Sequence, residues 1–307
     1  MKILFLGGGR RVELAKRFIE RGYDLIFSYE LNEHVPISEY ATIVKGLKWT
    51  DTNILDDIIG FINTWKTGFL IIPLQDEAVT VASDLYTHWL QHSINDSIVL
   101  ASSYNTAFTC FNKARFENFM LNRFPRFYPF RNLDELPAII KPMYGFGSKN
   151  LVKVWKKDDW PSDYKDAVVQ RLIIGKEYSV DAYFTPYSDM EDAVVRERLR
   201  IGSGEVITTK TVYMPNLHSI TKEVGETLGL VGPTNTQFIV EESTQLPYII
   251  EINARFGGGW TLSMEAGLDA ISLIERDYLG KDFEYHRGKT KIGLVLDRSY
   301  RDYFYKD

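Results

Sequence analysis

Two predicted strands carry an amide, a carboxylate and a second amide whose spacing suits metal binding. Gln237 lies in the first strand, and Glu251 and Asn253 lie in the second. Because residues i and i+2 of a strand share one face, Glu251 and Asn253 should point the same way, with Ile250 and Ile252 packed behind them. Oxygen ligands of this kind suit Mg²⁺, which is usually shared with substrate phosphates. A polar edge hairpin with a solvated face is the structural alternative.

The elements that would position this set form a hairpin. Thr236–Val240 is a β-type run, Glu241–Leu246 supplies polar turn residues, and Pro247–Asn253 resumes apolar alternation. Folding the hairpin brings Gln237 beside the carboxylate of the second strand. Arg255, two residues past the second amide, should lie on the same side, where a fixed cation suits a phosphoryl or carboxylate group.

This pattern resembles the ATP-grasp superfamily, especially single-unit proteins similar to the carbamoyl-phosphate synthase large chain. The resemblance implies that Gln237, Glu251 and Asn253 hold magnesium, with two ions expected and Mn²⁺ an admissible substitute. It also implies catalytic roles at the transferring phosphoryl group for Asn253, Arg255 and Lys141.

A second signature is the segment Ile139–Val152, in which Lys141 ends a strand and a glycine-rich loop follows. The loop contains Gly145, Gly147 and Ser148, so it can offer backbone N–H groups to phosphate oxygens beside the lysine charge. The resemblance implies that Lys141 and this loop bind the phosphates of ATP. A simple hairpin turn is the structural alternative.

A third signature is Val168–Val180, a strand, a short apolar connector and the start of another strand. The resemblance implies that Glu177 binds the ribose hydroxyls. It assigns the adenine contacts to four consecutive residues, Gln170, Arg171, Leu172 and Ile173. Arg171 departs from the family, in which a glutamate is common at this position. An ordinary amphipathic strand pair is the structural alternative.

A fourth signature is Lys113 in the first turn of a helix that Asn112 should cap. The resemblance implies that Lys113 faces the nucleotide phosphates, whereas the default interpretation is a solvent-exposed helix lysine. Four signatures in family order, spread over residues 112–259, make the joint match specific.

The acceptor substrate has weaker candidates in two segments of the ATP-grasp region. Val195–Lys210 carries Arg198, Arg200 and Lys210 on two predicted strands, and similar proteins have an arginine-bearing hairpin there that faces anions. Strand alternation predicts that Arg196, Arg198 and Arg200 share one face. A solvated basic edge strand is the alternative. Gly258, in the glycine turn after the metal-binding strand, is a further candidate.

The N-terminal third offers three more acceptor candidates. Asp76 and Glu77 follow a predicted strand at its carboxyl end, where ligands bind in open α/β sheets. An acidic first turn of a helix explains them equally well. Arg10, with Arg11, lies in the first strand-to-helix loop.

Alternating strands and helices in the N-terminal third predict a small doubly wound parallel sheet. Its opening GGG precedes a helix, but Val12 stands at the third position of the GxGxxG fingerprint, so NAD binding is disfavoured. The fold class is therefore α/β, with an α+β C-terminal part. The resemblance implies a Rossmann-like pre-ATP-grasp domain over 1–104 and an ATP-grasp domain over 105–290. It divides the latter into a small lobe at about 115–180 and a larger lobe at about 181–290, and leaves 291–307 as a C-terminal strand and tail.

Composition excludes several classes of protein. The 307 residues are 45% hydrophobic and 25% charged, with a net charge of −5, which gives no basic footprint for nucleic acid. One cysteine, Cys110, excludes an internal disulfide and fits a reducing cytoplasm. No targeting segment or bilayer-spanning run is visible, so we expect a cytoplasmic protein without a membrane partner.

The activity implied by the resemblance is ATP-dependent ligation of a small-molecule carboxylate to an amine, or less often a thiol, through an acyl phosphate; a homodimer is admissible. Three alternatives stay open. One is activation of bicarbonate, as in carbamoyl-phosphate synthase. Another is a non-catalytic ATP-binding module, which predicts a broken metal site. The third and weakest is a Rossmann dehydrogenase.

Overall fold

The computed structural model describes residues 1–92, 96–132, 135–144, 150–202, 204–299 and 301–305. The strands are β1 Lys2–Leu6, β2 Ile26–Glu30, β3 Thr42–Lys45, β4 Phe69–Pro73, β5 Ile98–Val99, β6 Ala138–Pro142, β7 Val152–Val154, β8 Ala167–Arg171, β9 Gly175–Phe184, β10 Met190–Gly202, β11 Glu205–Thr211, β12 Gly232–Glu241, β13 Pro247–Asn253 and β14 Val295–Asp297. The helices are α1 Val12–Glu20, α2 Ile54–Asn63, α3 Asp76–His92, α4 Tyr104–Phe111, α5 Lys113–Arg123, α6 Pro215–Leu228, α7 Trp260–Glu265 and α8 Ala270–Leu279.

A five-stranded parallel sheet forms the N-terminal part, in the order β3-β2-β1-β4-β5. Its central strands are apolar and buried along their whole length, as expected when both faces of a parallel sheet are covered. In β1, Ile3 and Phe5 enter one hydrophobic cluster, and Leu4 and Leu6 enter another. The predicted doubly wound α/β class is confirmed.

A six-stranded antiparallel sheet, ordered β13-β12-β9-β10-β11-β14, forms the largest unit of the C-terminal part. One cluster joins residues of this sheet, such as Val180 and Phe238, to Phe116 of α5 and Val224 of α6. On the other side, Tyr183 of β9 shares a cluster with the core of the parallel sheet. The six-stranded sheet is therefore packed on both faces, which fixes its strands relative to the N-terminal loops.

A three-stranded antiparallel sheet, ordered β7-β6-β8, has a small core of Ala138, Ile140 and Val154. Strand β9 pairs with β12 from Gly175 onward, so its first residues lie in the six-stranded sheet. The predicted boundary near residue 180 would place those residues, including Glu177, in the small lobe.

Strand β13 contains a bulge that the sequence pattern did not predict. Gln237 of β12 lies opposite Glu251, but the next residue, Phe238, lies opposite Ile249, so Ile250 is the extra residue. As a result Ile249 and Ile252 are in the core, whereas Ile250 is only half-buried. The expectation that Ile250 and Ile252 pack together is wrong, because the bulge changes the period of the strand at this point.

The helices of the described residues are too short, or too polar, to traverse a lipid bilayer.

Candidate active site

The carboxylate of Glu251 lies between two amides in the β12–β13 hairpin. Its Oε1 accepts a hydrogen bond of 2.7 Å from Gln237 Nε2 and one of 3.1 Å from Asn253 Nδ2. Gln237 stands directly across from Glu251, and Asn253 two residues further along β13 shares its face. The three predicted metal-binding side chains therefore meet at one point on the sheet.

Lys141 brings a buried ammonium group to the same region from the three-stranded sheet. It lies in β6 and is 6% exposed. Burial lowers the pKa of Lys141 to about 8; Lys113 adds repulsion, whereas Glu251 and Glu177 oppose the shift. Lys141 therefore lies within electrostatic range of Glu251, the predicted metal-binding carboxylate. The backbone N–H of Lys113 also donates to Met143 O at 3.0 Å, which ties the start of α5 to the end of β6.

Glu177 faces Arg198 across the strands β9 and β10. The distance from Glu177 Oε2 to Arg198 Nε is 3.4 Å, and the Arg198 side chain is 6% exposed. Burial lowers the pKa of Arg198, and the charges of Glu177 and Glu251 oppose that shift. Of the arginines predicted on β10, Arg198 is therefore the one that contributes a cation to the centre of the site.

The predicted adenine connector is mostly buried. Leu172 and Ile173 are 8% and 5% exposed. Gln170 donates through Nε2 to the hydroxyl of Tyr128, while no described residue donates to its buried Oε1. An acceptor left without a donor inside the protein is costly, so this atom is suited to a donor on a ligand.

Arg171, the residue that departs from the family pattern, already has partners in the protein. Its Nη1 is 2.5 Å from Glu241 Oε1, and its guanidinium group lies 4.9 Å from the centre of the Tyr248 ring. Both partners hold the side chain against the β12–β13 hairpin.

The predicted phosphate loop of Gly145, Gly147 and Ser148 lies outside the described residues.

Arg255 joins the site to the N-terminal sheet. Its Nε donates to Asp76 Oδ1 at 2.7 Å, and its Nη2 lies 3.4 Å from Asn253 Oδ1. Asp76 begins α3 at the carboxyl end of β4. Glu77 is half-buried beside it, and burial together with the Asp76 charge raises the pKa of Glu77. The structure therefore brings Asp76 to the predicted catalytic arginine.

Other predicted acceptor residues are more dispersed. Arg10 is exposed, and Lys210 is exposed opposite Glu197 in the β10–β11 pair. Arg200 is exposed and pairs with Asp297 of β14 at 2.9 Å, because register shifts on both sides of Arg200 turn it away from Arg198. The prediction that Arg196, Arg198 and Arg200 share one face therefore fails at Arg200. Arg196 is buried and paired with Asp181, with Nε 2.8 Å from Oδ2.

The first strand-to-helix loop does not offer a free phosphate cradle. The backbone N–H of Gly8 donates to Ser28 Oγ at 3.2 Å, and Ser28 Oγ donates to the buried carboxylate of Glu30 at 2.6 Å. Burial raises the pKa of Glu30, and the hydrogen bond from Ser28 opposes the rise. Ser28, held by Glu30, thus takes up a loop donor that a dinucleotide phosphate would need. This arrangement disfavours the dehydrogenase alternative.

Two further residues lie beside the glycine turn, Glu205 and Arg298, and neither was predicted from the sequence. Arg298 Nη1 is 3.6 Å from Glu205 Oε2, and Arg298 Nη2 donates to Gly258 O. Arg298 follows the short strand β14, which pairs with β11 at the edge of the large sheet. No local motif marks either residue, because the contact depends on that long-range strand pairing.

A divalent cation fits the amide and carboxylate set. Among the described residues no group of three His, Cys, Asp or Glu side chains could hold a metal. Glu251 supplies a carboxylate, and Gln237 and Asn253 supply amide oxygens. All are hard donors, but only one of the three is charged. Such a set is typical of Mg²⁺ that is shared with substrate phosphates rather than held by the protein alone.

A protein-family model matches the C-terminal part of the chain. The model of the family described as ATP-grasp in the biosynthetic pathway with Ter operon matches residues 163–296. These residues include β9 to β13, and therefore Glu177 and the whole β12–β13 hairpin with its predicted metal-binding residues.

A curated relative and two solved structures are also similar. The carbamoyl phosphate synthase large chain of Saccharolobus islandicus is 20% identical over 177 residues, which cover 51% of this chain and 17% of the relative. The chain thus spans about one sixth of that relative's length. The biotin carboxylase domain of Hydrogenobacter thermophilus 2-oxoglutarate carboxylase, in complex with MgADP, ADP and bicarbonate, is 12% identical with a TM-score of 0.68, covering 96% of this chain and 73% of that one. An L-amino acid ligase of Bacillus licheniformis is 14% identical with a TM-score of 0.65, covering 91% and 74%. At these identities the solved structures show a shared fold.

Proposed function

We propose that this chain, which matches an ATP-grasp family model over residues 163–296 and shares the fold of an L-amino acid ligase, is an ATP-dependent ligase that joins a carboxylate to an amine through an acyl phosphate. The observation that carries the proposal is that Glu251 accepts hydrogen bonds from two amides and interacts electrostatically with the buried cation Lys141. Phosphoryl transfer depends mainly on positioning and charge neutralisation, and these residues supply both.

The nucleotide would lie between β6 and the large sheet. Lys141 and Lys113 would bind its phosphates, together with Gly145, Gly147 and Ser148, which lie outside the described residues. Glu177 would accept the ribose hydroxyls, and Gln170 to Ile173 would line the adenine slot. Arg171 keeps its own partners, so the adenine amino group needs a different acceptor, and Gln170 Oε1 is available for that role.

Magnesium would be held by Glu251, Asn253 and Gln237, and when bound it neutralises charge on the phosphates. Asn253 and Glu251 share one face of β13, which orients the donors toward the nucleotide. Arg255 would contact the transferred phosphoryl group, with Asp76 fixing its guanidinium plane.

The reaction balances without a covalent enzyme intermediate. A substrate carboxylate oxygen attacks the γ-phosphorus, an O–P bond forms, and the bond to the leaving ADP breaks. An amine then attacks the acyl carbon, inorganic phosphate leaves, and the amine loses a proton to solvent. Arg255 and Lys141 stabilise the negative charge that the phosphoryl oxygens carry in the first step.

A second candidate reaction uses bicarbonate as the carboxylate. It is favoured by the similarity to carbamoyl phosphate synthase and to a biotin carboxylase domain solved with bicarbonate. The chemistry at Glu251 and Arg255 would be the same, so the acceptor alone separates the two candidates.

The experiment is ADP release from Mg-ATP with pools of amino acids, dicarboxylates or bicarbonate, each with and without pooled amines. Hydroxylamine in place of the amine traps an acyl phosphate as a hydroxamate. Glu251→Gln keeps an oxygen acceptor for the two amides but removes the charge, so we expect ADP release to fall by about 100-fold or more. Glu242→Gln, in the exposed turn of the same hairpin, is the matched control and should keep full activity. Equal ADP release by wild type and Glu251→Gln would refute the proposal.

A further inference from the structure

Two arginines from distant parts of the chain approach one point in the glycine turn. A methyl group added at Gly258 would lie 3.1 Å from Arg11 Nη1 and 3.3 Å from Arg298 Nη1. Arg11 comes from the loop between β1 and α1, and Arg298 directly follows β14. A side chain at position 258 would therefore crowd both guanidinium groups, which glycine avoids.

The guanidinium group of Arg11 is mostly buried and poorly paired. Its side chain is 16% exposed, and its ion pair with Glu205 spans 3.8 Å. Across the described residues no hydrogen bond joins the Arg11 guanidinium to an acceptor. A guanidinium group has five N–H donors in a planar fork that matches a carboxylate or a phosphate. Arg11 therefore presents donors that suit a planar or tetrahedral oxyanion.

Arg298 is oriented by neutral acceptors. Its Nη1 donates to Val206 O at 3.2 Å, and its Nη2 donates to Gly258 O. These carbonyl groups fix the guanidinium plane without cancelling its charge. The side chain is 33% exposed, so the group remains accessible to a small molecule.

Glu205 bridges the two arginines without a hydrogen bond to either. Its two oxygens lie 3.8 Å from Arg11 Nη2 and 3.6 Å from Arg298 Nη1, and its side chain is 46% exposed. A carboxylate at these distances gains Coulomb attraction but not the short contacts of a charge-assisted hydrogen bond. A ligand oxyanion with closer contacts can displace it.

Electrostatics support an anionic ligand at this point. Burial, followed by repulsion from Arg255, lowers the pKa of Arg11 to about 10, and Arg298 adds to the repulsion. Burial also lowers the pKa of Arg298. An anion between these groups would relieve their mutual repulsion. Arg255, the arginine proposed for the phosphoryl group, lies three residues before Gly258 in the chain, and its charge repels that of Arg11.

We propose that Arg11 and Arg298 form a clamp for an oxyanion of the acceptor substrate, and that Glu205 occupies the clamp as a built-in carboxylate until the substrate displaces it. The proposal rests on the proposed ligase function for the identity of the ligand as an acceptor. With Arg255 beside the clamp, the acceptor carries one carboxylate for phosphorylation and a second oxyanion, a carboxylate or a phosphate, held by Arg11 and Arg298.

Binding can be measured without nucleotide on the full chain. The thermal midpoint of unfolding is recorded against increasing succinate or inorganic phosphate, with potassium chloride of equal ionic strength as the reference. We expect a saturable rise beyond the chloride reference with at least one probe. Saturation by succinate alone assigns a carboxylate to the clamp, and tighter saturation by phosphate assigns a phosphate.

The variants separate a clamp from general positive charge. Arg11→Gln or Arg298→Gln should raise the half-saturating concentration about tenfold or more, since each removes charged hydrogen bonds to the anion. Glu205→Gln should lower that concentration, because it removes the competing charge. The matched controls, Arg126→Gln and Glu223→Gln, belong to an exposed ion pair on another surface and should leave it unchanged.

Two results would overturn the clamp. One is the absence of a saturable rise in the thermal midpoint with either probe in wild type. The other is weaker anion binding in Glu205→Gln, a variant that keeps both arginines. MgADP affinity is measured on the same samples and should be unchanged in Arg298→Gln. If MgADP binds and neither anion binds, the clamp is refuted and the ligase proposal stands. If an anion binds and MgADP does not, the clamp stands and the ligase proposal is refuted.

Discussion

Arg255 and Asp76 form an ion pair that joins the end of β13 to the start of α3, with Nε 2.7 Å from Oδ1. The side chains are 12% and 22% exposed, so water screens the pair only in part. The β12–β13 hairpin and the parallel sheet are thus connected at Arg255, the residue that we propose contacts the phosphoryl group.

This pair should be coupled energetically. A double-mutant cycle with Arg255→Gln and Asp76→Asn, measured by urea unfolding, should give a coupling free energy of about 0.5–3 kcal/mol. The exposed Lys16–Glu13 pair, at 2.7 Å, serves as control and should give no more than about 0.5 kcal/mol. Equal coupling in both pairs would show that partial burial adds nothing to the Arg255 contact.

Lys141 should make nucleotide binding depend on pH. Its folded pKa of about 8 lies below the usual lysine value of 10.5, so the ammonium form that binds phosphate is lost as pH rises through about 8. Calorimetric titration of MgATP between pH 7 and 9.5 should show weakening affinity together with proton uptake on binding. Lys141→Arg stays charged over this range and should remove the proton uptake.

The same shift affects folding stability with a defined sign. Between pH 8 and 10.5 the unfolded chain holds the Lys141 proton and the folded chain has lost it, so this group raises the free energy of unfolding as pH increases.

An affinity for MgATP that does not change between pH 7 and 9.5 would contradict the proposed contact between Lys141 and phosphate.

Gln170 should discriminate between nucleotide bases. Its buried Oε1 has no donor among the described residues, and the amino group of adenine would supply one. We expect Gln170→Met to weaken ATP binding by about tenfold while leaving the weaker GTP binding unchanged. Gln245→Met, in the exposed β12–β13 turn, is the control. An equal loss for both nucleotides would assign Gln170 to packing with Tyr128 instead.

The β-bulge predicts an asymmetry between two adjacent isoleucines. Ile249 is fully buried, so Ile249→Ala should lower the free energy of unfolding by about 2–5 kcal/mol. Ile250 is only half-buried, and Ile250→Ala should cost about 1 kcal/mol. Urea unfolding measures both, and the reverse order would place the core on the face expected from regular alternation.

Local periodicity was enough to predict the hairpin and the pairing of Gln237 with Glu251. It was also enough for the alternating strands and helices of the N-terminal sheet, because each element buries an apolar pattern of its own. The same reasoning failed at Ile250 and at Arg200, where a bulge or a register shift inserts one residue. Such shifts depend on the partner strand, which a single sequence does not specify.

The contacts of Arg298 and Glu205 were beyond the sequence for a different reason. Both are charged residues of ordinary type, and neither lies in a motif with a mechanism. Their proximity to Arg11 follows from the pairing of β14 with β11 and from the packing of the large sheet on the N-terminal part. Long-range pairing of this kind carries no local signal.

The position of Glu30 changes what the first loop of the protein can do. A glycine loop before a helix ordinarily receives a phosphate on its N–H groups. Here Gly8 N–H donates to Ser28, which in turn donates to the internal carboxylate of Glu30, so the chain itself holds the loop before any ligand arrives. The loop held in this way directs Arg11 toward Glu205 of the large sheet. The glycine loop therefore positions a cation, Arg11, beside the glycine turn at Gly258 instead of binding a phosphate itself.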